Sequence, residues 1–142
     1  MGKRKLKKTM SFIGVFISTL LGGCGATPSN NDIVGLWVSS DGAELSFDLD
    51  GQFSAHSIPQ NLFFRPDQTG RVDGKGNWSL EKGGSYWEVK MSFKEIAGQV
   101  DGYSTSILIS GRGASLYLYQ WQEEEGGSRY KFKASRKKNA QD

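Results

Sequence analysis

The chain has 142 residues, 18 of them basic and 15 acidic, for a formal net charge of +3. Five of the basic residues (Lys3, Arg4, Lys5, Lys7 and Lys8) fall within the first eight positions, so 13 remain against 15 acids and the body carries a net charge near −2. A near-neutral body excludes the electrostatic footprint of a nucleic-acid binder, and the length fits one domain. Nineteen glycines beside 8 Phe, 5 Tyr and 4 Trp point to short strands and tight turns rather than helices.

Residues 1–8, MGKRKLKK, form a basic n-region, and residues 10–21, MSFIGVFISTLL, an apolar h-region. Such a run is too short to cross a bilayer as a helix, which takes about 20 residues. It matches the h-region of a secretory signal peptide, about 7–15 residues ending at small side chains. Leu21-Gly22-Gly23-Cys24 follows, with Cys24 the sole cysteine. An aliphatic residue, two small residues and a cysteine in this place resemble the lipobox of bacterial lipoproteins. The glycines leave the backbone open to a membrane-embedded peptidase, and a thiolate is the side chain that attacks a lipid donor readily. The resemblance implies cleavage between Gly23 and Cys24, a diacylglyceryl group on the Cys24 thiol and acylation of the new amine. Two acyl chains already give stable anchoring. Residues 1–23 are then the signal peptide, and 24–32 the lipidated cysteine with a flexible polar tether. The expected location is the cell envelope, with membrane contact through the N-terminal lipid. Gly25, where an Asp would resemble an inner-membrane retention signal, leans towards the outer membrane in a Gram-negative source.

From residue 33 the chain reads as strands between turn signals. IVGLWVSS (33–40) is apolar and β-branched, and Asp41-Gly42 turns it. AELSFDL (43–49) alternates, with Leu45, Phe47 and Leu49 on one face. Asp50-Gly51 has the composition of a type I′ hairpin turn, and QFSAHSI (52–58) follows. Residues 59–75, with two prolines and two glycines, read as a loop whose Leu62, Phe63 and Phe64 need cover. GNWSLEK (76–82) alternates through Trp78 and Leu80, and Gly83-Gly84 turns. YWEVKMSFK (86–94) places Trp87, Val89, Met91 and Phe93 on one face. Residues 95–102 read as a loop, YSTSILIS (103–110) and SLYLYQWQ (115–122) as strands, and EEEGGS (123–128) as an acidic tip. RYKFKAS (129–135) is the last strand, and 136–142 a polar tail whose Arg136–Lys138 is a solvated end.

About eight strands in series make an all-β antiparallel meander spanning residues 33–135. Left open, such a meander exposes two edges, and closing into an up-and-down barrel removes them. A two-sheet β-sandwich is the alternative. Gly-x-Trp opens two hairpins, at Gly35-Leu36-Trp37 and Gly76-Asn77-Trp78. Both follow from the same hairpin rules and need no duplication.

Gly35-Leu36-Trp37 at the first strand of the body resembles the Gly-x-Trp motif of lipocalins and their small bacterial relatives, and the pattern extends through residues 33–134. The resemblance implies a lipocalin-like barrel in which Trp37 plugs one end beneath a cation from the last strand, Arg129 or Lys131. The cation–π contribution would be about 0.5–2 kcal/mol.

No constellation for catalysis stands out. His56 is the only histidine. Asp48 or Asp101 could serve it in a triad, but no Gly-x-Ser-x-Gly nucleophile motif occurs, so an exposed strand histidine is expected. Metal binding lacks a second histidine or a spare thiol. Glu123-Glu124-Glu125 lacks the spaced Asp/Asn ligands of a calcium loop. Glu44, Glu88 and Glu95 give no acid–base signal beyond what any β protein offers. No cofactor site is expected, and the protein reads as a non-enzyme.

Surface recognition remains. Tyr117, Tyr119 and Trp121 share one face of their strand and Leu116 and Leu118 the other. Inside, the aromatic face fills the barrel or lines a pocket, which is the default. Outside, it resembles an interface hot spot. Phe63 and Phe64 are the other candidates, because two adjacent rings cannot both enter one core from a strand, which leaves one for a lid or contact. The sequence thus reads as a lipid-anchored binding protein of the envelope, of protein-interaction, inhibitor or immunity type. The alternative is a lipocalin-like carrier of a small apolar ligand. Cys24→Ser should abolish both radiolabelled-lipid incorporation and sedimentation with membranes; a mutant that still sediments would refute the anchor.

Overall fold

The structure, a computed structural model, describes residues 27–122 and 127–135. The leader, Gly23, Cys24, the acidic tip at 123–126 and the tail from 136 lie outside the described residues. Eight antiparallel strands close into a barrel in sequence order. They are β1 (Gly35–Ser39), β2 (Glu44–Phe47), β3 (Gln52–Pro59), β4 (Arg71–Gly83), β5 (Tyr86–Ile96), β6 (Gln99–Ser110), β7 (Tyr117–Trp121) and β8 (Arg129–Ala134). Each pairs with its successor. β8 returns to β1 through Trp37↔Ala134, Val38↔Lys133 and Ser39↔Phe132. The meander therefore closes as an up-and-down barrel, and the sandwich alternative falls.

Alternation sets what the barrel holds. Phe47, Val89, Met91, Phe93, Ile107 and Phe132 point inwards and are almost wholly buried. Their neighbours in sequence, such as Ser46, Lys90 and Lys133, face outwards to varying degrees. Rings fill the interior. Phe53 and Phe93 meet edge to face at 4.9 Å between centroids, and Phe47 and Trp78 at 5.4 Å. A one-turn helix blocks each end. At one rim α1 (Asn30–Ile33) inserts Ile33, whose carbonyl accepts the Trp37 indole N–H at 2.7 Å. At the opposite rim α2 (Gln60–Phe63) inserts Phe63 against Phe132, 6.1 Å between centroids. α1 begins where the polar tether was expected to run on to residue 32. The Asp32 carboxylate accepts the Ser29 amide at 2.8 Å and caps the turn early.

Several strand limits differ from the sequence pattern. β4 starts at Arg71 instead of residue 76, because Gly74 lies in the strand and not in a loop. A Cβ on Gly76 would lie 1.9 Å from the Ser92 carbonyl oxygen. Glycine here admits a close backbone approach at a bulge, where the register slips between Lys75 and Gly76. β5 and β6 likewise run further than expected and are joined by only Ala97-Gly98, both at positive φ (52° and 77°). That is the two-residue I′ pattern, with alanine in a conformation L residues adopt at a cost of about 1–2 kcal/mol. Asp50-Gly51 is not a I′ turn. Only Gly51 has positive φ (88°), and the Gly51 amide bonds the Asp48 carbonyl at 3.2 Å. This is a type I turn closed by a glycine bulge, and it carries Leu49 out of the pleat to 67% exposure. The clash at Gly76 makes Gly76→Ala the most damaging single methyl in the barrel wall; the expected loss is about 3 kcal/mol by urea denaturation, and a neutral result would contradict the close packing of β4 on β5.

Candidate functional site

β7 and β8 form a hairpin whose two faces have opposite character. Leu118 and Phe132 lie inside with no exposure, and Leu116 packs against the same core. Once these aliphatic and phenyl groups take the interior, the period of two sends Tyr117, Tyr119 and Trp121 outside. The default that the aromatic face fills the barrel is therefore overturned. β8 alternates in step, so Arg129, Lys131 and Lys133 also face out, exposed. Register places the two rows side by side, with Tyr117 opposite Lys133, Tyr119 opposite Lys131 and Trp121 opposite Arg129.

The rows interact. Tyr119 and Trp121 meet edge to face at 5.5 Å, and Tyr117 and Tyr119 lie 5.8 Å apart. The Arg129 guanidinium carbon sits 4.5 Å from the Tyr119 ring centroid and 4.9 Å from that of Trp121, and its Nη1 donates to the Tyr117 hydroxyl at 2.6 Å. The Lys131 ammonium lies 5.0 Å from the Tyr117 centroid. Each cation–π contact contributes about 0.5–1 kcal/mol at an exposed site. A hydrogen bond with Ser110, and then the Arg129 and Lys131 charges, hold the Tyr117 hydroxyl below its usual pKa. The ion pairs among the described residues are His56–Asp73, Arg71–Asp41 and Lys75–Glu95. None involves a cation of this wall. Two shallow grooves of about 540 and 630 Å³ flank it, and both are lined by Lys131 and Lys133.

The other anticipated residues fall elsewhere. Trp37 is buried and its indole is satisfied by Ile33, while Arg129 stacks on the outer wall. The expected cation over Trp37 is corrected: Arg129 and Lys131 stack on Tyr119, Trp121 and Tyr117 instead, although Lys131 and Lys133 line a groove together with Trp37. Gly35 does have a structural role, since it opens β1 at φ 127° in a region reserved for glycine. Phe63 is 1% exposed and is removed from the candidate contact surface: the helical turn of α2, not a strand, lets it enter the core. Phe64 is half-buried, wedged between Phe93 and Tyr103 at 5.1 and 5.2 Å. Adjacent rings thus both find cover.

His56 is exposed, and its Nδ1 pairs with Asp73 at 2.9 Å rather than with Asp48; the Asp101 side chain lies outside the described groups. Asp73 also accepts the Ser57 amide at 2.8 Å, which marks it as a brace for the β3 bulge. Glu95 is engaged with Lys75 at 3.2 Å. No group of three metal-ligating side chains occurs among the described residues, and no described helix is long and apolar enough to cross a membrane.

A second polar cluster has no local signature in the sequence. At the rim holding α2, Asp41 accepts from Arg71 at 2.6 Å, from Ser39 and from Tyr130. The Tyr130 oxygen also lies 3.0 Å from the Ser39 hydroxyl, and Arg71 donates to the Ser57 carbonyl at 2.9 Å. Partial burial opposes the Asp41 charge, but the bonds from Arg71, Ser39 and Tyr130 outweigh it and hold the carboxyl well below the usual carboxylate range. Burial, and next the Asp41 charge, raise the Tyr130 hydroxyl. Comparison with family models, curated proteins and solved structures finds no match for this chain.

Because the Asp41 pKa is lower folded than unfolded, its contribution is fully present above about pH 4 and is lost as pH falls further towards the folded value. Asp41→Asn should flatten the acid limb of the stability curve, and Tyr130→Phe should cost about 1 kcal/mol at neutral pH. Urea titrations across pH check both; an unchanged acid limb in Asp41→Asn would assign the acid sensitivity elsewhere.

Proposed function

We propose that the protein is a lipid-anchored, non-enzymatic binding protein of the bacterial cell envelope that engages a protein partner through the β7–β8 outer wall. The observation that carries this reading is the wall itself: three aromatics left outside a barrel that had rings to spare for its core, each in contact with a cation. Tyr, Trp and Arg are the side chains enriched at interface hot spots. A carrier of a small apolar ligand would need open interior volume. Here Phe47, Phe53, Phe93 and Trp78 interlock, and helical turns block both rims, which weighs against carriage.

The anchor reading rests on the basic leader, the apolar run and Leu21-Gly22-Gly23-Cys24. The tether would enter at the α1 rim. Six residues, 24–29, precede α1 and reach about 14 Å as a coil, so the barrel would stand close to the bilayer. β7 runs away from that rim, so Trp121 and Arg129 would be the members of the wall furthest from the lipid. An inhibitor or immunity protein held at the envelope fits such an arrangement. A photo-crosslinking residue at Trp121, in cells, should yield one discrete protein adduct, and the same residue at Gln52 on β3, across the barrel from the hairpin, should not. Equal adducts at both positions, or none at Trp121, would overturn the reading.

A further inference from the structure

We infer that the β7–β8 wall receives an extended acidic segment of its partner, with alternate carboxylates meeting Arg129, Lys131 and Lys133. This rests on the protein-binding reading above and adds the partner's chemistry. The three cations lie two residues apart on one strand face, so they repeat at about 6.8 Å. An extended peptide presents alternate side chains at the same interval, and one lying along β8 would match cation for carboxylate. The Arg129 guanidinium is already fixed by two rings and the Tyr117 hydroxyl. Its planar fork is set for a carboxylate with little further rotamer entropy to lose. Elsewhere the described ion pairs give Arg71 and Lys75 their carboxylates, whereas the wall cations have none among the described residues. The wall thus sets three exposed cations in a row beside aromatic rings.

The rings themselves argue against a sugar. Tyr117 and Tyr119 are tilted by 47° and Tyr119 and Trp121 by 88°, and cations occupy ring faces. They form no flat platform on which a glycan could stack.

Fluorescence polarisation of a labelled peptide of alternating Glu and Thr, titrated with the full chain in detergent, tests the site. Saturable binding that weakens with added salt is expected. Arg129→Ala should weaken it about tenfold, Arg129→Lys less, and Arg129→Ala/Lys131→Ala/Lys133→Ala should abolish it with circular dichroism unchanged. If the triple variant misfolds, Lys133→Glu serves instead: it should reject the acidic peptide and take an alternating Lys and Thr peptide better than the parent does. No binding by the parent, or binding indifferent to these changes, overturns the proposal. So does displacement of the peptide by an anionic polysaccharide or anionic phospholipid vesicles as effectively as by unlabelled peptide. Sedimentation as a dimer that Glu123→Gln/Glu124→Gln/Glu125→Gln dissolves would put a second copy's acidic tip on the wall, and overturns it too. The peptide result does not depend on Cys24 or on crosslinking in cells, so it can fail while the envelope reading stands, and the reverse.

Discussion

Closure of the barrel between its first and last strands is the constraint on which the rest depends. The seam is short. Three residue pairs join β1 to β8, and the Ser135 amide adds a bond to the Leu36 carbonyl at 2.7 Å. At roughly 1 kcal/mol net per hydrogen bond, such a seam is weak beside the long β4–β5–β6 wall. Side chains reinforce it. Tyr130 on β8 crosses to Ser39 and Asp41 at the β1–β2 turn, and Arg71 carries the same network to the β3 bulge at Ser57. Strands β1, β3, β4 and β8 are thereby tied at one rim through a single carboxylate. If the seam opened, Phe132 would lose its cover on the β1 side and β8 would be held by β7 alone.

The network also explains a local irregularity. Ser57 has φ 52°, unusual for a residue with a Cβ. Its amide is held by Asp73 and its carbonyl by Arg71. The bulge lets β3 turn inward at Ile58 and Pro59, and α2 can then drop Phe63 into the core. A strained residue at a rim thus serves packing of the interior, and the polar bonds around it offset part of the cost.

How legible this was in the sequence varied with the physics involved. Strands with strict alternation, such as the run from Trp87 to Phe93, were plain, since burial of one face fixes the period. Closure followed from edge exposure. The failures share a cause: glycine and short polar residues carry two meanings. Gly74 reads as part of a loop but lies in a strand where its neighbours approach closely, and Asp50-Gly51 reads as I′ but closes a type I turn. The wall was only half visible. Both halves of the β7–β8 hairpin alternate, and pairing Arg129, Lys131 and Lys133 with Tyr117, Tyr119 and Trp121 needed only the antiparallel register. What could not be seen was which face was outside, because Leu116 and Leu118 compete with three larger rings for the core. Volume decides. The interior already holds Phe47, Phe53, Phe63, Phe93, Phe132 and two tryptophans, so the smaller side chains fit where the larger would overpack. The Asp41 network joins residues up to 91 positions apart, beyond any local pattern.

An aromatic row on an outer barrel wall is a liability unless it is covered. Trp121 remains 50% exposed, and bare rings invite non-specific association. The cations of β8 change that balance. Stacked on the rings, Arg129 keeps a hydrated charge over apolar surface, and Lys131 does the same over Tyr117, so the wall stays wet. Such a surface is selective by construction. An apolar partner would have to strip the guanidinium of water with nothing to replace it, whereas a carboxylate substitutes for that water directly. The fixed geometry would lower the ordering cost of binding, and a lipid anchor would add to this by confining the protein to one surface, which would raise the effective concentration towards any partner held there without a new contact. Core packing, the seam and the wall are therefore one problem in side-chain placement: the rings that fill the barrel force other rings outside, and the strand that closes the barrel supplies the charges that make those rings usable.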